Sequence, residues 1–420
     1  MRIASVRPFL LSYVLPEPLK LTYYGGDRTI VKRDAMLIRV ETASGLVGYA
    51  PGQGSPKAKA AIDDVIAPFL VGRTLADPDA LRVQFLAGPG QNPETAKVYC
   101  AVEIALYDAL GKALNLPVSE LLGGRTRDRI HLYGSAGMYM PPEKYAEEAV
   151  AIAGLGFRAY KMRSGIGPEA DVETVRRMRD AVGPDFDLMV DAHTWWRMGN
   201  RNYVRATVDS IAEQLAEYRI AWLEEPLPPD DREAYLRLKR LDYVPLASGE
   251  HEPSEAAFID LVLTGAVDYV QMDVVCQGGY PTARRVLPAI SGEGLRFAFH
   301  SWGTALEVVA AAHLGICWPE SVVEWLEYPC YSSPSQAGMY PFPLAADILK
   351  APLELDHGDL IVPKGPGLGV EVDEGVVARY PWVEGPWSYF DLEEPRETWL
   401  VSANHSETWT GQERRAGTGG

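Results

Sequence analysis

Three short apolar runs that stop abruptly on a carboxylate constrain this chain more than any other feature. They are Met189-Val190-Asp191, Trp222-Leu223-Glu224 and Leu246-Ala247-Ser248-Gly249-Glu250. A strand covered on both faces of a sheet is nearly all apolar, so each run reads as a buried strand of a parallel sheet that ends where the chain turns out of it. The acids recur at intervals of about 30 residues, roughly one strand-plus-helix unit of a barrel of about 250 residues.

The same rhythm extends on both sides. Strands are predicted over residues 130–134, 159–163, 187–191, 221–224, 245–249, 269–273, 297–300 and 322–326, with helices at 143–154, 168–182, 202–219, 231–240, 254–264, 278–292 and 304–315. In the 202–219 segment Val204, Val208, Ile211 and Leu215 form one apolar stripe. Alternation on this scale predicts an α/β fold with a parallel sheet, and eight strands predict a closed (β/α)8-type, TIM-like barrel over residues 126–330, modified because no eighth helix is evident.

Residues 1–125 lack that rhythm and read as a separate α+β domain. Strands are expected at 3–14 and 34–41, the latter turning at Ser44-Gly45 into a meander, and a helix at 96–114. Polar, glycine-bearing loops are expected at 23–28 and 51–56. Residues 331–400 return to strand-like and proline-rich segments expected to pack back on the first domain, and 401–420 read as a flexible tail.

A net charge of -17, spread without a long acidic run, argues against nucleic acid or an anionic membrane as partner. Cys100, Cys276, Cys317 and Cys330 show no CxxC spacing, so neither a zinc site nor a disulfide framework is suggested, and reduced thiols in a cytoplasm fit best. The first residues lack a signal-peptide apolar region, and no stretch approaches the roughly 18 uninterrupted apolar residues of a membrane span.

Working residues of such a barrel sit at the C-terminal ends of its strands. This chain places Lys161 and Arg163, Asp191 and His193, Glu224, Glu250 and His251, Asp273, His300 and Glu327 there. Three carboxylates, Asp191, Glu224 and Glu250, suit one hard cation such as Mg²⁺ with positions left for substrate oxygens. Only one of Glu224 and Glu225 is expected to point inward, because side chains alternate. Asp273 and His300 end consecutive strands, so the carboxylate can hold the imidazole by its ring N–H while the other nitrogen moves a proton. Lys161 and Arg163 project from one side of their strand. A lysine among cations can be tuned into a base, whereas arginine effectively never deprotonates and suits a carboxylate contact. Glu327, if protonated, could hydrogen-bond a developing enediolate. Trp195, Trp196 and Trp302 are candidate pocket walls.

Taken together the motifs resemble the enolase superfamily, and within it the mandelate racemase group. The resemblance rests on the helix 103–112 leading to Leu121-Leu122-Gly123-Gly124, Tyr160-Lys161-Met162-Arg163, Val190-Asp191-Ala192, Leu223-Glu224-Glu225-Pro226, Ser248-Gly249-Glu250, Gln271-Met272-Asp273, His300-Ser301-Trp302-Gly303 and Leu326-Glu327-Tyr328. It implies Asp191, Glu224 and Glu250 as ligands of one Mg²⁺, Asp273 and His300 as the dyad, Glu327 beside the enediolate, a capping domain whose two early loops choose the substrate, and an even-numbered homo-oligomer. Tyr23, Tyr24, Asp27, Arg28 and Gln53 in those loops, with His193 and Trp302 at strand ends, are the candidate substrate contacts.

One departure matters. The family pattern has a second lysine where this chain has Arg163, and a racemase needs a base on each face of the carbon. A single histidine can remove the proton alpha to a carboxylate and then protonate a departing beta-hydroxyl. The expected reaction is therefore dehydration of an acid sugar to a 2-keto-3-deoxy acid. The competing readings are a racemase, epimerase or cycloisomerase using Lys161 or Arg163 on the second face, and a non-catalytic metal- or sugar-binding barrel.

Overall fold

The computed structural model describes residues 1–330 and 342–392. Eight strands, β4 (Arg129–Met138), β5 (Ala159–Arg163), β6 (Asp187–Asp191), β7 (Trp222–Glu224), β8 (Leu246–Ser248), β9 (Tyr269–Met272), β10 (Arg296–Phe299) and β11 (Val323–Pro329), pair in parallel in chain order. The parallel pairing of β11 with β4 closes the barrel. Seven helices, Pro142–Gly154, Pro168–Val182, Arg205–Leu215, Arg232–Leu241, Glu255–Thr264, Gly279–Gly292 and Ala305–Gly315, alternate with the strands. After β11 the next described helix is the five-residue Pro343–Asp347, so no full-length eighth helix stands among the described residues. The helix expected over 202–219 is shorter, ending at Leu215 and tightening into a 3₁₀ turn at Ala216–Tyr218.

One inward side chain from each strand builds the barrel floor: Tyr133, Ala159, Met189, Trp222, Ala247, Tyr269, Ala298 and Trp325 form a buried apolar cluster. Because strand side chains alternate, the residues two positions further along sit above that floor on the same inward side. They are Ser135, Lys161, Asp191, Glu224, Gly249, Gln271, His300 and Glu327, and the layer changes from apolar to charged within two residues. Gly249 is the one member that must lack a side chain, since a Cβ there would lie 2.2 Å from the Gln271 carbonyl oxygen at φ +139°.

The N-terminal sheet is antiparallel and orders β1 (Ile3–Tyr23), β2 (Gly26–Thr42) and β14 (Ser388–Leu392), with β3 (Val47–Gly52) also on β2. The helix Pro93–Leu114 packs on β2 and β3. It starts three residues earlier than its apolar spacing suggested, because the Asn92 side chain accepts from the Glu94 and Thr95 amides and Pro93 takes the first helical position. The expected loop at 23–28 is corrected to the tip of a long hairpin, turning at Tyr24-Gly25 with Tyr23 opposite Gly26. Pro16 and Pro18 fall within the register shift between Val14 and Leu19, where no ladder donor is required, and the strand resumes beyond them with Leu21 and Tyr23 buried.

The chain after the barrel returns to both parts of the molecule. A hairpin of β12 (Leu355–Asp356) and β13 (Asp359–Ile361) pairs antiparallel with β4, while β14 pairs antiparallel with the tip half of β2. Of this segment, expected to pack back on the first domain, β14 joins the first domain's sheet and β13 joins the barrel's. The tail expected over 401–420 lies outside the described residues. No helix among the described residues is long and apolar enough to cross a membrane.

His313 ties these parts together. Its Nδ1 accepts from the Ser119 amide at 3.3 Å, so the ring proton sits on Nε2, which donates to the Leu368 carbonyl at 3.0 Å. Burial pushes this histidine down to about 4. A histidine whose folded value lies below its unfolded one stabilises the fold when neutral, so the contribution is complete above about pH 6.5 and is lost as the pH falls toward 4. About 3 kcal/mol is at stake over that window. Denaturant unfolding of wild type and His313→Asn across pH 4–7 should give a stability difference that shrinks on acidification. A pH-independent difference would contradict the assignment.

Candidate active site

The charged layer at the top of the barrel is built around Lys161. Its side chain is fully buried, and Nζ lies 2.7 Å from Glu224 Oε1, 3.1 Å from Glu327 Oε1 and 3.9 Å from Asp191 Oδ2. Burial alone would lower its pKa, but Glu224, Glu327, Tyr133 and Asp191 outweigh it and hold the ammonium well above its ordinary value. In this arrangement the group is the counter-charge of Glu224 and Glu327. Glu327 sits in the same charged cluster. Burial would raise it, yet Lys161, His300 and Arg163 hold it below the usual carboxylate range.

Arg163, one layer higher, keeps Nε 3.4 Å from Asp191 Oδ2 and a terminal nitrogen 3.6 Å from Glu327 Oε1, with its guanidinium 3.7 Å from the centre of the Trp302 ring. Glu224 shares the inward side of β7 with Trp222, whose indole donates to it at 3.0 Å. Gln271 donates to the same oxygen at 2.8 Å. The expectation that only one of the two glutamates turns inward is corrected by Glu225, whose positive φ turns it toward Glu250 and His251.

The dyad is formed. His300 Nδ1 lies 3.0 Å from Asp273 Oδ2, and His300 Nε2 faces Glu250 Oε2 at 3.3 Å and Glu327 Oε2 at 3.9 Å. Burial would lower the His300 pKa, but Glu250, Asp273 and Glu327 raise it well above the ordinary histidine value. Asp273 is itself fixed by the Val275 amide, which donates to Oδ1 at 2.7 Å. Behind the dyad, Glu307 accepts from the Gly303 amide at 3.0 Å and from Ser301 Oγ at 3.3 Å, clamping the turn that carries His300 and Trp302.

Sequence reasoning passed over Arg197 and the role of Glu225. Glu225 is fully buried at φ 43°, and its Oε2 pairs with His251 Nδ1 at 2.7 Å. His251 Nε2 lies 2.6 Å from an Arg197 nitrogen. A guanidinium only donates, so Nε2 accepts and the ring proton is on Nδ1 toward Glu225. Burial and then Arg197 push His251 well below its ordinary value, consistent with a neutral ring. Glu225, Glu250 and His251 form a group whose ligand atoms all lie within 4.8 Å of one another. Both nitrogens of His251 are engaged, however, which leaves the carboxylates as the donors on offer. The doubled acid of Glu224-Glu225 was visible in the sequence. The backbone at positive φ that buries both was not.

The five carboxylates Asp191, Glu224, Glu225, Glu250 and Glu327 fit a hard divalent cation by donor type. Burial, and beyond it the neighbouring carboxylates, push Glu224 and Glu225 up to about 8 against the pull of Lys161 and Arg197 respectively. Such crowding is relieved by positive charge. His193 Nδ1 lies 2.7 Å from Asp191 Oδ1 and 3.9 Å from Glu250 Oε1, so the predicted contact residue His193 stands between two expected ligands.

The remaining predicted contacts divide. Trp302 stacks on Arg163 at the mouth. Arg28 lies between the Trp387 and Phe390 rings, at 4.5 and 4.7 Å, with one terminal nitrogen donating to Met138 Sδ at the end of β4. Tyr24 packs on the loops that follow β5 and β6: its amide donates to the Gly165 carbonyl at 2.8 Å and its ring meets Tyr203 edge-on.

Residues 144–376 match the model of the enolase C-terminal domain-like family, and residues 16–123 match the mandelate racemase/muconate lactonizing enzyme N-terminal domain. The chain is 27% identical to a D-galactarolactone cycloisomerase of Agrobacterium fabrum, across 90% of this chain and 99% of that protein. It is 28% identical to a D-xylonate dehydratase of Haloferax volcanii, across 85% and 87%. A solved enolase-superfamily member from Polaromonas sp. JS666 is 31% identical and superposes with a TM-score of 0.79, across 92% of this chain and 99% of that one.

Replacing Lys161 with Met leaves Glu224 and Glu327 buried without their nearest cation. Breaking a buried pair by removing one partner costs about 3 kcal/mol or more, so urea unfolding of Lys161→Met should show a loss of that size. Unchanged stability would mean that the carboxylates are not charged.

Proposed function

Because the chain belongs to the mandelate racemase/muconate lactonizing enzyme family of the enolase superfamily, we propose that it is an acid-sugar dehydratase, a hydro-lyase that converts a sugar acid to a 2-keto-3-deoxy acid. The observation that carries this reading is the pairing of one histidine dyad with an arginine where a second base would stand. His300, held through Nδ1 by Asp273 at 3.0 Å, takes the proton alpha to the substrate carboxylate at Nε2. The same imidazolium then returns the proton to the departing beta-hydroxyl.

Arg163 cannot take part as a base, since a guanidinium does not deprotonate. Lys161 is committed to Glu224 and Glu327. Proton transfer is thereby confined to one face of the carbon, which favours elimination over racemisation. The curated relatives include several acid-sugar dehydratases, acting on xylonate, gluconate, rhamnonate and galactonate. The fixed cations Arg163 and Lys161 stabilise negative charge developing near the floor of the site, and Trp302 holds Arg163 in place.

Asp191, Glu224 and Glu250 are the residues we assign to a Mg²⁺, with Glu225 braced behind them by His251. The bound ion would supply Lewis-acid stabilisation of the substrate carboxylate as it becomes an enediolate. A second reading, cycloisomerisation of a sugar-acid lactone, shares the first proton transfer and is favoured by the near-complete coverage of the galactarolactone cycloisomerase relative.

Proton NMR of aldonic, aldaric and lactone panels incubated with the protein and Mg²⁺ in deuterated buffer separates these readings. A 2-keto-3-deoxy product that disappears on chelation, and whose rate falls by at least about 10²-fold in His300→Asn, is the expected result. Alpha-proton exchange without loss of water would defeat the dehydratase reading. The metal assignment has its own test. Mg²⁺ should raise the melting temperature of wild type by mass action, and that rise should vanish in Asp191→Asn and Glu250→Gln. An equal rise in all three would remove those residues from the ligand set.

A further inference from the structure

Strand β14 lies beyond residue 376, where the match to the barrel domain ends. It nonetheless runs along the strand that hangs over the barrel. Ser388, Tyr389, Phe390, Asp391 and Leu392 face Ile30, Thr29, Arg28, Asp27 and Gly26 in turn, down to the hairpin turn. Just before it, the Trp387 carbonyl accepts from the Val31 amide at 3.0 Å and the Lys32 amide at 3.4 Å, and the Val383 amide donates to Ser12 Oγ at 3.1 Å. The Lys32 ammonium sits 4.3 Å from the Trp382 ring centre. One continuous length of chain is therefore laid along the outer edge of the hairpin.

The hairpin it edges rests on the barrel mouth. Gly25 packs so closely on Met198, in the loop after β6, that a Cβ would lie 2.5 Å from its side chain. The Tyr24 amide is bonded to the loop after β5, and Arg28 reaches the end of β4. Side chains then carry the contact inward. Trp387 lies 4.5 Å from the Arg28 guanidinium and 5.4 Å from that of Arg33. Arg33 is 5.6 Å from the Trp302 ring, and Trp302 is stacked by Arg163 at 3.7 Å. Alternating guanidinium groups and aromatic rings attract through the ring quadrupole, and each contact fixes the rotamer of two long side chains. Removing one ring from such a series loosens the arginines on both sides of it.

We propose that residues 387–392 are a strap that fixes the first hairpin over the barrel mouth, and that Trp387 is a positioning residue acting through Arg28 and Arg33 on the Trp302–Arg163 stack. The strap sets the pocket's shape before any ligand arrives. It goes beyond the dehydratase reading, and its first test needs neither substrate nor metal.

Amide hydrogen exchange on the full-length wild type, Trp387→Ala and Trp387→Phe reads the strap directly. In Trp387→Ala, exchange over residues 26–32 and 301–303 should accelerate on the order of ten-fold while β5 and β6 keep their protection, as for local opening of one unit. Trp387→Phe, which keeps a ring, should stay close to wild type. Unchanged exchange over residues 26–32 in Trp387→Ala would overturn the proposal. So would an equal loss of protection in β5 and β6, which would mark a general loss of stability. Where the substrate panel yields a turned-over acid, KM in Trp387→Ala should rise roughly five-fold or more with kcat within about two-fold, the signature of lost pre-organisation in binding. A fall in kcat with KM unchanged would count against it.

Discussion

The interior of a closed eight-stranded barrel admits one side chain in two from every strand, and that geometric constraint governs everything else in this molecule. At one level the constraint is met with apolar bulk, Tyr133, Trp222, Tyr269 and Trp325 with three alanines and Met189 between them. Two residues further along each strand it is met with charge. At that level Asp191, Glu224 and Glu327 are taken out of water around a single lysine, Lys161, whose ammonium pairs with Glu224 and Glu327 and offsets part of their charge. Burying a charge unpaired would cost several kcal/mol. The fold can carry this ring because the apolar floor beneath it and the strand hydrogen bonds around it are complete without it.

The second tier is organised to hold the ring's edges. Asp273 is pinned by a backbone amide, Glu307 clamps the turn after β10, and His251 braces Glu225 against Arg197. The first two contacts stiffen single strand-end loops, and the Glu225–His251–Arg197 series joins the loops after β6, β7 and β8, so the mouth of the barrel is cross-tied laterally as well as built up from below. A site of this kind is rigid where proton transfer must be directed, and its tolerances are set by hydrogen bonds of about 3 Å.

The barrel was legible in the sequence because its strands are buried on both faces and stop on acids, and because helix stripes such as Val208, Ile211 and Leu215 separate them at even spacing. The ring residues were legible for the same reason: a strand's end is visible where apolar residues give way to charge. The hairpin at 23–28 was not, because Pro16, Pro18, Gly25 and Gly26 carry the composition of a loop, and only the partner strand reveals that the ladder continues past them. The ion pairs of Lys161 with Glu224 and Glu327 were not legible either, since they join strands far apart in the chain. Arg197 escaped notice because nothing in its neighbourhood of the chain points to His251.

The floor has a consequence of its own. A cylinder plugged at one end by two tryptophans and two tyrosines is closed there, so a ligand of the ring enters and leaves at the opposite end. The doorway is bordered by a hairpin whose outer edge is stitched to β14. The width of that opening is therefore written partly in residues that lie farthest along the described chain from the strands they guard, and a change at the far end of the polypeptide reaches the centre of the barrel without touching it.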